Sequence, residues 1–248
     1  MYDTLSFVNL QSDWHKMAFS FCILCKINMI MKLTDDNNIK NIIFDLGGVI
    51  INIDMMSCLK RIEALGVPVK EMMSAQKSGG ATVCEGMSVS GPMELYQLGK
   101  ISTQDFFNGF LRYCHEGTTL EQLEDAWNSC LLSIPEERLN VIKSLRSRYN
   151  VYMLSNTNDC HWRYIEDKYF KAEGHTTDIF FDRVFLSHEM HLAKPDRTIY
   201  EQVLKEIGAR GEECLFIDDA KANLDAAKEC GIRTLQAADG WELANVEL

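Results

Sequence analysis

The sequence is short of basic residues. It contains 25 Lys and Arg against 36 Asp and Glu among 248 residues, so its formal net charge is −11. Nucleic acid and anionic lipid surfaces are bound through positive charge, and a chain with this overall field is a poor partner for either. We therefore expect no nucleic-acid and no membrane partner. A small anionic ligand is not excluded, but a bound cation or a local lysine would have to offset the repulsion.

Long apolar runs are also missing. A helix that spans a bilayer needs about 20 apolar residues, whereas the run at residues 17–25, MAFSFCILC, is followed at once by Lys26. A signal peptide would be compatible with Lys16 before this run, but no small-residue cleavage site follows. The first run typical of a core strand begins near Ile39. We therefore predict that residues 1–35 are an extension outside the folded core, and that the protein is cytoplasmic.

The nine cysteines lack the spacing of a zinc site. Cys22 and Cys25 form one C-x-x-C pair, and neither a second pair nor suitably spaced histidines accompany it. An odd, scattered set of cysteines is typical of the reduced thiols of a cytosolic protein.

Five short apolar runs alternate with helical patterns along most of the chain. The runs lie at residues 39–46, 150–156, 183–187, 213–219 and 232–235. Their length and composition are typical of buried parallel strands. Helical patterns lie between them. One begins at Pro135, a second begins at Pro195 and ends at Gly208, and a third covers residues 222–230. This alternation predicts an α/β fold with a doubly wound, Rossmann-like parallel sheet.

The region from residue 55 to 134 breaks this alternation. It contains no convincing strand, and Ser102 is a predicted helix start. Thr119 and Gln122 have the spacing of a capping box. We predict an all-helical cap at residues 55–134, inserted into a core formed by residues 36–54 and 135–248.

Polar side chains follow the predicted strands at their ends. They are Asp45 at the end of the first strand, Ser155 and Asn156 at the end of the second, Asp218 and Asp219 at the end of the fourth, and Lys194 before the helix that leads into the fourth strand. A single Asp at a strand end usually belongs to a turn or a helix cap. Ligands of open α/β sheets, however, bind at the carboxyl ends of the strands. The ordered set therefore predicts one crevice that holds three carboxylates, a lysine and a hydroxyl.

This combination suits phosphoryl chemistry. Clustered carboxylates need a counter-charge, and Mg²⁺, which prefers oxygen ligands, would provide it. Asp45 in line with a phosphorus atom could attack it. Lys194 and Ser155 could hold the non-bridging oxygens, with help from backbone N–H groups of the Gly47–Gly48 turn.

Four segments carry a resemblance to a known family. FDLGGVI, LSNTN, KPDRTIY and FIDDAKANLDAA resemble, in this order, the four motifs of the haloacid dehalogenase superfamily. The resemblance covers roughly residues 39–240 and is nearest to a sugar-phosphatase-like branch that includes α-D-glucose-1-phosphate phosphatases. It implies a Mg²⁺-dependent phosphatase that acts on a small phosphorylated metabolite of the sugar-phosphate class through an aspartyl-phosphate.

The resemblance also implies a role for each residue. Asp45 would be the nucleophile and a magnesium ligand, and Lys194 would hold both the phosphate and the nucleophile. Ser155 and Asn156 would bind phosphate. The remaining metal ligands would be the backbone carbonyl of Gly47, Asp219 directly, and Asp218 directly or one layer behind, with Asn223 orienting the site.

One position departs from the superfamily pattern. Most of its phosphatases have a second Asp two residues after the nucleophile, which protonates the leaving group, and here that position is Gly47. General acid–base help is typically worth about 10²–10⁴-fold in rate. Three explanations are open: a good leaving group, replacement of the acid by another group such as His161, or a weak enzyme kept for binding.

Rival interpretations follow from the same residues. A non-catalytic module that binds a phosphate ligand or a protein would explain Gly47. A phosphotransferase or mutase would need an acid–base residue near Asp45, so Gly47 counts against it. A dehalogenase needs no metal, and the Asp218–Asp219 pair would repel an anionic haloacid.

Overall fold

A computed structural model describes residues 38–70, 72, 91–171, 176–238 and 242–243. The predicted extension at residues 1–35 lies outside these residues. None of the helices in the described part of the chain is long and apolar enough to cross a membrane.

One sheet of six strands forms the centre of the molecule, in the order β3-β2-β1-β4-β5-β6. The strands are β1 (Asn41–Phe44), β2 (Asn150–Ser155), β3 (Arg183–Leu186), β4 (Cys214–Asp218), β5 (Arg233–Ala238) and β6 (Glu242–Leu243). The first five are parallel, and β6 pairs with β5 in the antiparallel direction. The predicted α/β fold is confirmed, with each strand at the predicted place and β6 as an addition at the edge.

Strand β1 lies inside the sheet between β2 and β4, and all four of its residues, NIIF, are buried. Ile43 is in register with Tyr152 of β2 and with Phe216 of β4. A strand that is covered on both faces needs an apolar run of this kind rather than an alternating one. The backbone N–H of Asp45 donates to the carbonyl oxygen of Ile217 at 2.8 Å, so the sheet directly supports the residue that follows β1.

Helices flank the sheet and also form a separate group after β1. The helices are α1 (Met55–Ala64), α2 (Pro92–Gln97), α3 (Thr103–Leu111), α4 (Leu120–Asn128), α5 (Glu136–Leu145), α6 (Asp159–Ile165), α7 (Ser187–Met190), α8 (Arg197–Ile207) and α9 (Lys221–Glu229). Helix α8 is capped by Asp196, one residue after the predicted start, and ends at Gly208 in the left-handed conformation.

Helices α1 to α4 lie between β1 and β2, in the region where the sequence predicts a helical cap. Ser102 caps α3, and the capping box of Thr119 and Gln122 begins α4, so both predicted helix starts are confirmed. The chain enters and leaves this group through two segments that pair with each other: Asn52 N–H donates to Ser133 O and Asp54 N–H to Cys130 O, both at 2.9 Å. The limits at residues 54 and 134 stay a prediction.

Candidate active site

Three neighbouring strands bring the predicted residues together. Asp45 directly follows β1, Ser155 is the last residue of β2, and Asp218 is the last residue of β4. Because β2, β1 and β4 are adjacent and parallel, their carboxyl ends lie side by side at one edge. The crevice that the sequence predicts is therefore formed at the centre of the sheet, as expected for an open α/β fold.

Lys194 joins two of the carboxylates. Its Nζ lies 2.7 Å from Asp45 Oδ1 and 2.7 Å from Asp218 Oδ2, and the lysine side chain is 1% exposed. The ammonium also lies over the Phe216 ring, 5.3 Å from its centroid. Burial acts to lower the pKa of Lys194, but the two carboxylates outweigh burial and the net pKa is raised. The lysine is therefore a fixed positive charge at the site.

Asp218 is held in place on every side. Its Oδ1 accepts the backbone N–H of Ala220 at 2.8 Å, and both of its oxygens lie 3.1 Å from Asn223 Nδ2. The residue is completely buried. The contacts of Asn223 agree with the orienting role that the resemblance implies, and they suit Asp218 to a supporting position behind Asp219.

Asp219 is exposed, unlike the other two carboxylates. Its carboxylate lies directly against Gly48, where a Cβ atom would overlap Asp219 Oδ2. Gly48 also has φ +71°, a conformation that glycine adopts without strain. The Gly48 position thus admits the carboxylate only because it has no side chain.

The three aspartates fit a divalent cation. One oxygen from each of Asp45, Asp218 and Asp219 lies within 4.8 Å of the others. Burial, opposed mainly by Lys194, raises the pKa of Asp45 to about 7, and burial also raises the pKa of Asp219. Within the described residues, one lysine faces these three carboxylates, so it does not balance their charge when all are ionised. A hard cation with oxygen ligands would supply the missing charge.

The two residues at the end of β2 have different surroundings. Ser155 is buried, and its hydroxyl makes no hydrogen bond to the part of the chain that the structure describes, so it is available to a ligand. The Asn156 amide instead binds the backbone of Lys194: Nδ2 donates to the carbonyl oxygen at 2.7 Å, and Oδ1 accepts the N–H at 2.9 Å. The Asn156 side chain therefore positions Lys194 rather than pointing free toward a phosphate.

Two further expectations need revision. The N–H of Gly48 donates to the carbonyl of Ile51 at 2.9 Å, so it is used within its own turn. The ring of His161 stacks on Trp127 with centroids 5.1 Å apart. Its Nε2 lies 3.3 Å from Trp127 O and its Nδ1 lies 3.2 Å from Asn158 Nδ2. His161 therefore joins α4 to α6, and none of its contacts within the described residues reaches Asp45 or Lys194.

The structure adds one residue near the site that the sequence did not single out. Ser187, directly after β3, is completely buried and binds the backbone of Thr157, which follows Ser155 and Asn156. A serine after a strand gives no signal by itself, because the pairing of β2 with β3 is what brings it to this loop.

Fold and site together define an α/β protein with a Rossmann-like parallel sheet, a carboxylate cluster with a buried lysine at its strand ends, and a helical cap after β1. The model of haloacid dehalogenase-like hydrolases matches residues 39–231. The chain belongs to this family. Together with the phosphatase relatives described next, this membership confirms the predicted enzyme class, a phosphoric monoester hydrolase.

Similar proteins cover most of the chain. A curated D-ribitol-5-phosphate phosphatase of Bacteroides thetaiotaomicron is 29% identical, over 82% of this chain and 93% of its own. The sesquiterpene phosphatase astK of Aspergillus oryzae is 24% identical, over 81% and 90%. A solved HAD family enzyme of B. thetaiotaomicron, in complex with magnesium and inorganic phosphate, has a TM-score of 0.73 and 31% identity, over 83% and 98%.

Proposed function

We propose that this chain is a Mg²⁺-dependent phosphatase that hydrolyses a small phosphorylated metabolite, a sugar phosphate, through an aspartyl-phosphate on Asp45. The observation that carries the proposal is the buried bridge of Lys194 between Asp45 and Asp218, at the carboxyl ends of adjacent strands. The relatives support it, because one is a phosphatase of a sugar-alcohol phosphate and another was solved with magnesium and phosphate.

The residues of the chain divide the work as follows. An Asp45 carboxylate oxygen attacks phosphorus, an O–P bond forms, and the bond from phosphorus to the leaving oxygen breaks. Water then attacks the phosphorus, and Asp45 is released as a carboxylate with inorganic phosphate as product. Lys194 holds the nucleophile in place and offsets the negative charge of the phosphoryl oxygens. Ser155 offers its hydroxyl to one of these oxygens.

Magnesium would be held by Asp45, Asp219, the carbonyl of Gly47 and, directly or from behind, Asp218. When bound, the ion supplies charge neutralisation of the phosphoryl group. The acidic field of the chain makes this contribution important, since only Lys194 is a cation at the carboxylate cluster within the described residues.

Protonation of the leaving oxygen is the weak point of this chemistry. Position 47 has no side chain, and a Cβ atom there would lie 2.8 Å from Cδ1 of Ile53. The space that an acid would use is therefore partly filled by an apolar group. We propose that the substrate has a leaving oxygen that departs without strong help from an acid, as an anomeric oxygen would.

The test is Mg²⁺-dependent phosphate release from a panel of sugar and sugar-alcohol phosphates, including ribitol 5-phosphate and an anomeric hexose phosphate. Wild type is expected to release phosphate from at least one of them. The Asp45→Asn variant is expected to lose at least 10³-fold in kcat, on the order of the effect of removing a nucleophile. Full activity of Asp45→Asn, or no release by wild type, would remove the proposal.

The glycine at position 47 favours a second candidate, a module that binds a phosphate ligand without turnover. Titration calorimetry with inorganic phosphate and with the same panel, at saturating Mg²⁺, separates the two. Tight binding of a sugar phosphate that stays intact over hours would favour the binding module.

A further inference from the structure

A short turn of the cap rests on the core next to the phosphate-binding loop. We call residues 97–99, which are the last residue of α2 and the two residues after it, the cap turn. The carbonyl of Gln97 accepts from Ser187 Oγ at 2.9 Å, and the carbonyl of Leu98 lies 2.8 Å from Nδ1 of His191. Both partners belong to the segment that follows β3. The cap turn is therefore anchored to the core by two polar contacts.

A third contact is steric. Gly99 has φ +62°, and a Cβ atom there would overlap the carbonyl oxygen of His188. The backbone of Gly99 thus lies directly against the backbone of His188, at a distance that no other residue type permits. The seat of the cap turn depends on this glycine.

Ser187 also binds the loop after β2. Its Oγ accepts the N–H of Thr157 at 2.9 Å and lies 2.9 Å from the carbonyl oxygen of Thr157, the same distance as to Gln97 O. A hydroxyl carries one proton, so the two carbonyls compete for it. If the cap turn moves away, the Ser187 hydroxyl can donate its hydrogen bond to Thr157 O alone, so this buried donor keeps an acceptor.

The loop that Ser187 holds is the one that serves the chemistry. Thr157 directly follows Asn156, whose amide binds the backbone of Lys194. Ser155, one residue earlier, has a hydroxyl without a hydrogen bond to any of the described residues. Ser187 begins the segment that ends at Lys194 itself. A change at Ser187 is therefore within a few residues of both groups that would bind phosphate.

We propose that Ser187 is a positioning residue that couples the seat of the cap turn to the Ser155–Thr157 loop. This inference rests on the proposed function. With the cap turn seated, the Ser187 hydroxyl donates to Gln97 O or Thr157 O and accepts from the Thr157 N–H, and it holds the loop in the phosphate-binding geometry. With the cap turn unseated, water reaches Ser187 and Thr157 and competes for the hydrogen bonds between them, so the loop loosens.

The alanine variants of two glycines isolate the seat of the cap turn. Gly99 and Gly208 have φ values of +62° and +66°, so alanine meets nearly the same backbone strain at both. A Cβ atom at Gly208 has open space, whereas one at Gly99 meets His188. Gly99→Ala is expected to lower kcat at least tenfold, and Gly208→Ala to stay within twofold of wild type. The thermal shift caused by Mg²⁺ should be the same in both, because the carboxylates are not touched.

Ser187→Ala removes the acceptor of the Thr157 N–H and the link to Gln97 at once. It is expected to lower kcat as much as Gly99→Ala does. Because both changes break one coupling, the double variant should lose less than the product of the single losses. A plain stability defect would instead lower the melting temperature and leave the kcat of the folded enzyme unchanged. Multiplying losses, or equal activity of Gly99→Ala and Gly208→Ala, would overturn the proposal.

Hydrogen exchange separates this proposal from the proposed function, because it needs no substrate. Peptides that cover residues 92–98 and 155–160 are expected to exchange faster together in Gly99→Ala than in Gly208→Ala. If wild type released no phosphate from any substrate and the two peptides still loosened together, the coupling would stand and the assigned activity would fall. If only the cap peptide loosened, Ser187 would not transmit the change.

Discussion

Lys194 lies between two buried carboxylates, and these are the ion pairs of the described residues in which every partner is buried. Buried ion pairs gain little over well-packed apolar groups, but they are costly to break, because removing one partner leaves a buried charge uncompensated. The arrangement is therefore better explained by chemistry than by stability. Its parts are far apart in sequence and are joined only by the sheet.

Lys194→Met is expected to lower the free energy of unfolding by about 3–5 kcal/mol, because Asp45 and Asp218 are then buried without a counter-charge. The matched control is Lys221→Met, which breaks the exposed pair of Lys221 with Asp225 and should cost about 0–1 kcal/mol. Urea unfolding of both variants, without Mg²⁺, gives the comparison. Equal losses of stability in the two variants would contradict the claim that Lys194 compensates the charge of buried carboxylates.

Gly47→Asp tests the missing acid. The new side chain must displace Cδ1 of Ile53, which can move because Ile53 is 40% exposed. An acid at position 47 is expected to speed release of a poor leaving group, such as an alkyl alcohol, by about 10- to 100-fold, and to change little for an aryl phosphate. The slope of log kcat against leaving-group pKa measures this, and an unchanged slope would show that protonation does not limit the rate.

At the scale of elements, α4 and α6 meet through aromatic and polar contacts. Trp127 of α4 stacks on His161 of α6, and its Nε1 lies 3.5 Å from Asn158 Oδ1. Asn158 caps α6 directly after the loop of residues 155–157. The contact of Trp127 with Asn158 therefore joins the cap to the core where α6 begins. We therefore assign His161 to the packing of two helices.

His161→Asn is expected to lower stability by about 1 kcal/mol, the typical net value of one hydrogen bond. It should change kcat by less than tenfold and leave the dependence on the leaving group unaltered. A general acid would instead be worth about 10²–10⁴-fold. A loss of that size, largest for poor leaving groups, would return His161 to the role that the sequence suggested.

For the whole molecule, the net charge of −11 and the carboxylate cluster act together. A chain that repels anions can still bind a phosphate where a cation and a lysine concentrate positive charge. The stability of the metal-free protein should therefore depend on the charge state of its site. Asp45 is the group in which this dependence is clearest.

In EDTA, wild type is expected to lose stability relative to Asp45→Asn as the pH rises from about 4 to 7. Burial raises the pKa of Asp45 to about 7 in the folded protein. Between the unfolded and folded pKa values the folded state binds the extra proton, so a rise in pH favours unfolding. Above pH 7 the difference should level off.

Denaturant unfolding of both proteins across this range measures the difference, and saturating Mg²⁺ should reverse it in wild type by binding the ionised site. At 100 times its Kd, a ligand adds about 2.7 kcal/mol to the stability of the folded state. A difference between the proteins that does not vary with pH would show that Asp45 is ionised throughout.

Much of this protein could be predicted from local sequence. The five parallel strands follow from apolar runs, and the helix starts at Ser102 and Thr119 from capping patterns, because hydrophobic burial and capping act over a few neighbouring residues. The proximity of Asp45 and Asp218 also follows from the sequence, because the carboxyl ends of parallel strands share one edge of a sheet. The cytoplasmic location stays a prediction.

Other features depended on contacts between residues distant in the chain. Nothing local shows that the Asn156 amide binds Lys194, that His161 stacks on Trp127, or that Ser187 reaches both Gln97 and Thr157. A short polar side chain has several possible partners, and the pairing of strands decides which one is within 3 Å. The sequence by itself determined the α/β sheet and the kinds of group at its edge, while the tertiary structure alone decided which of these groups bind and hold one another in place, because that depends on contacts between distant parts of the chain.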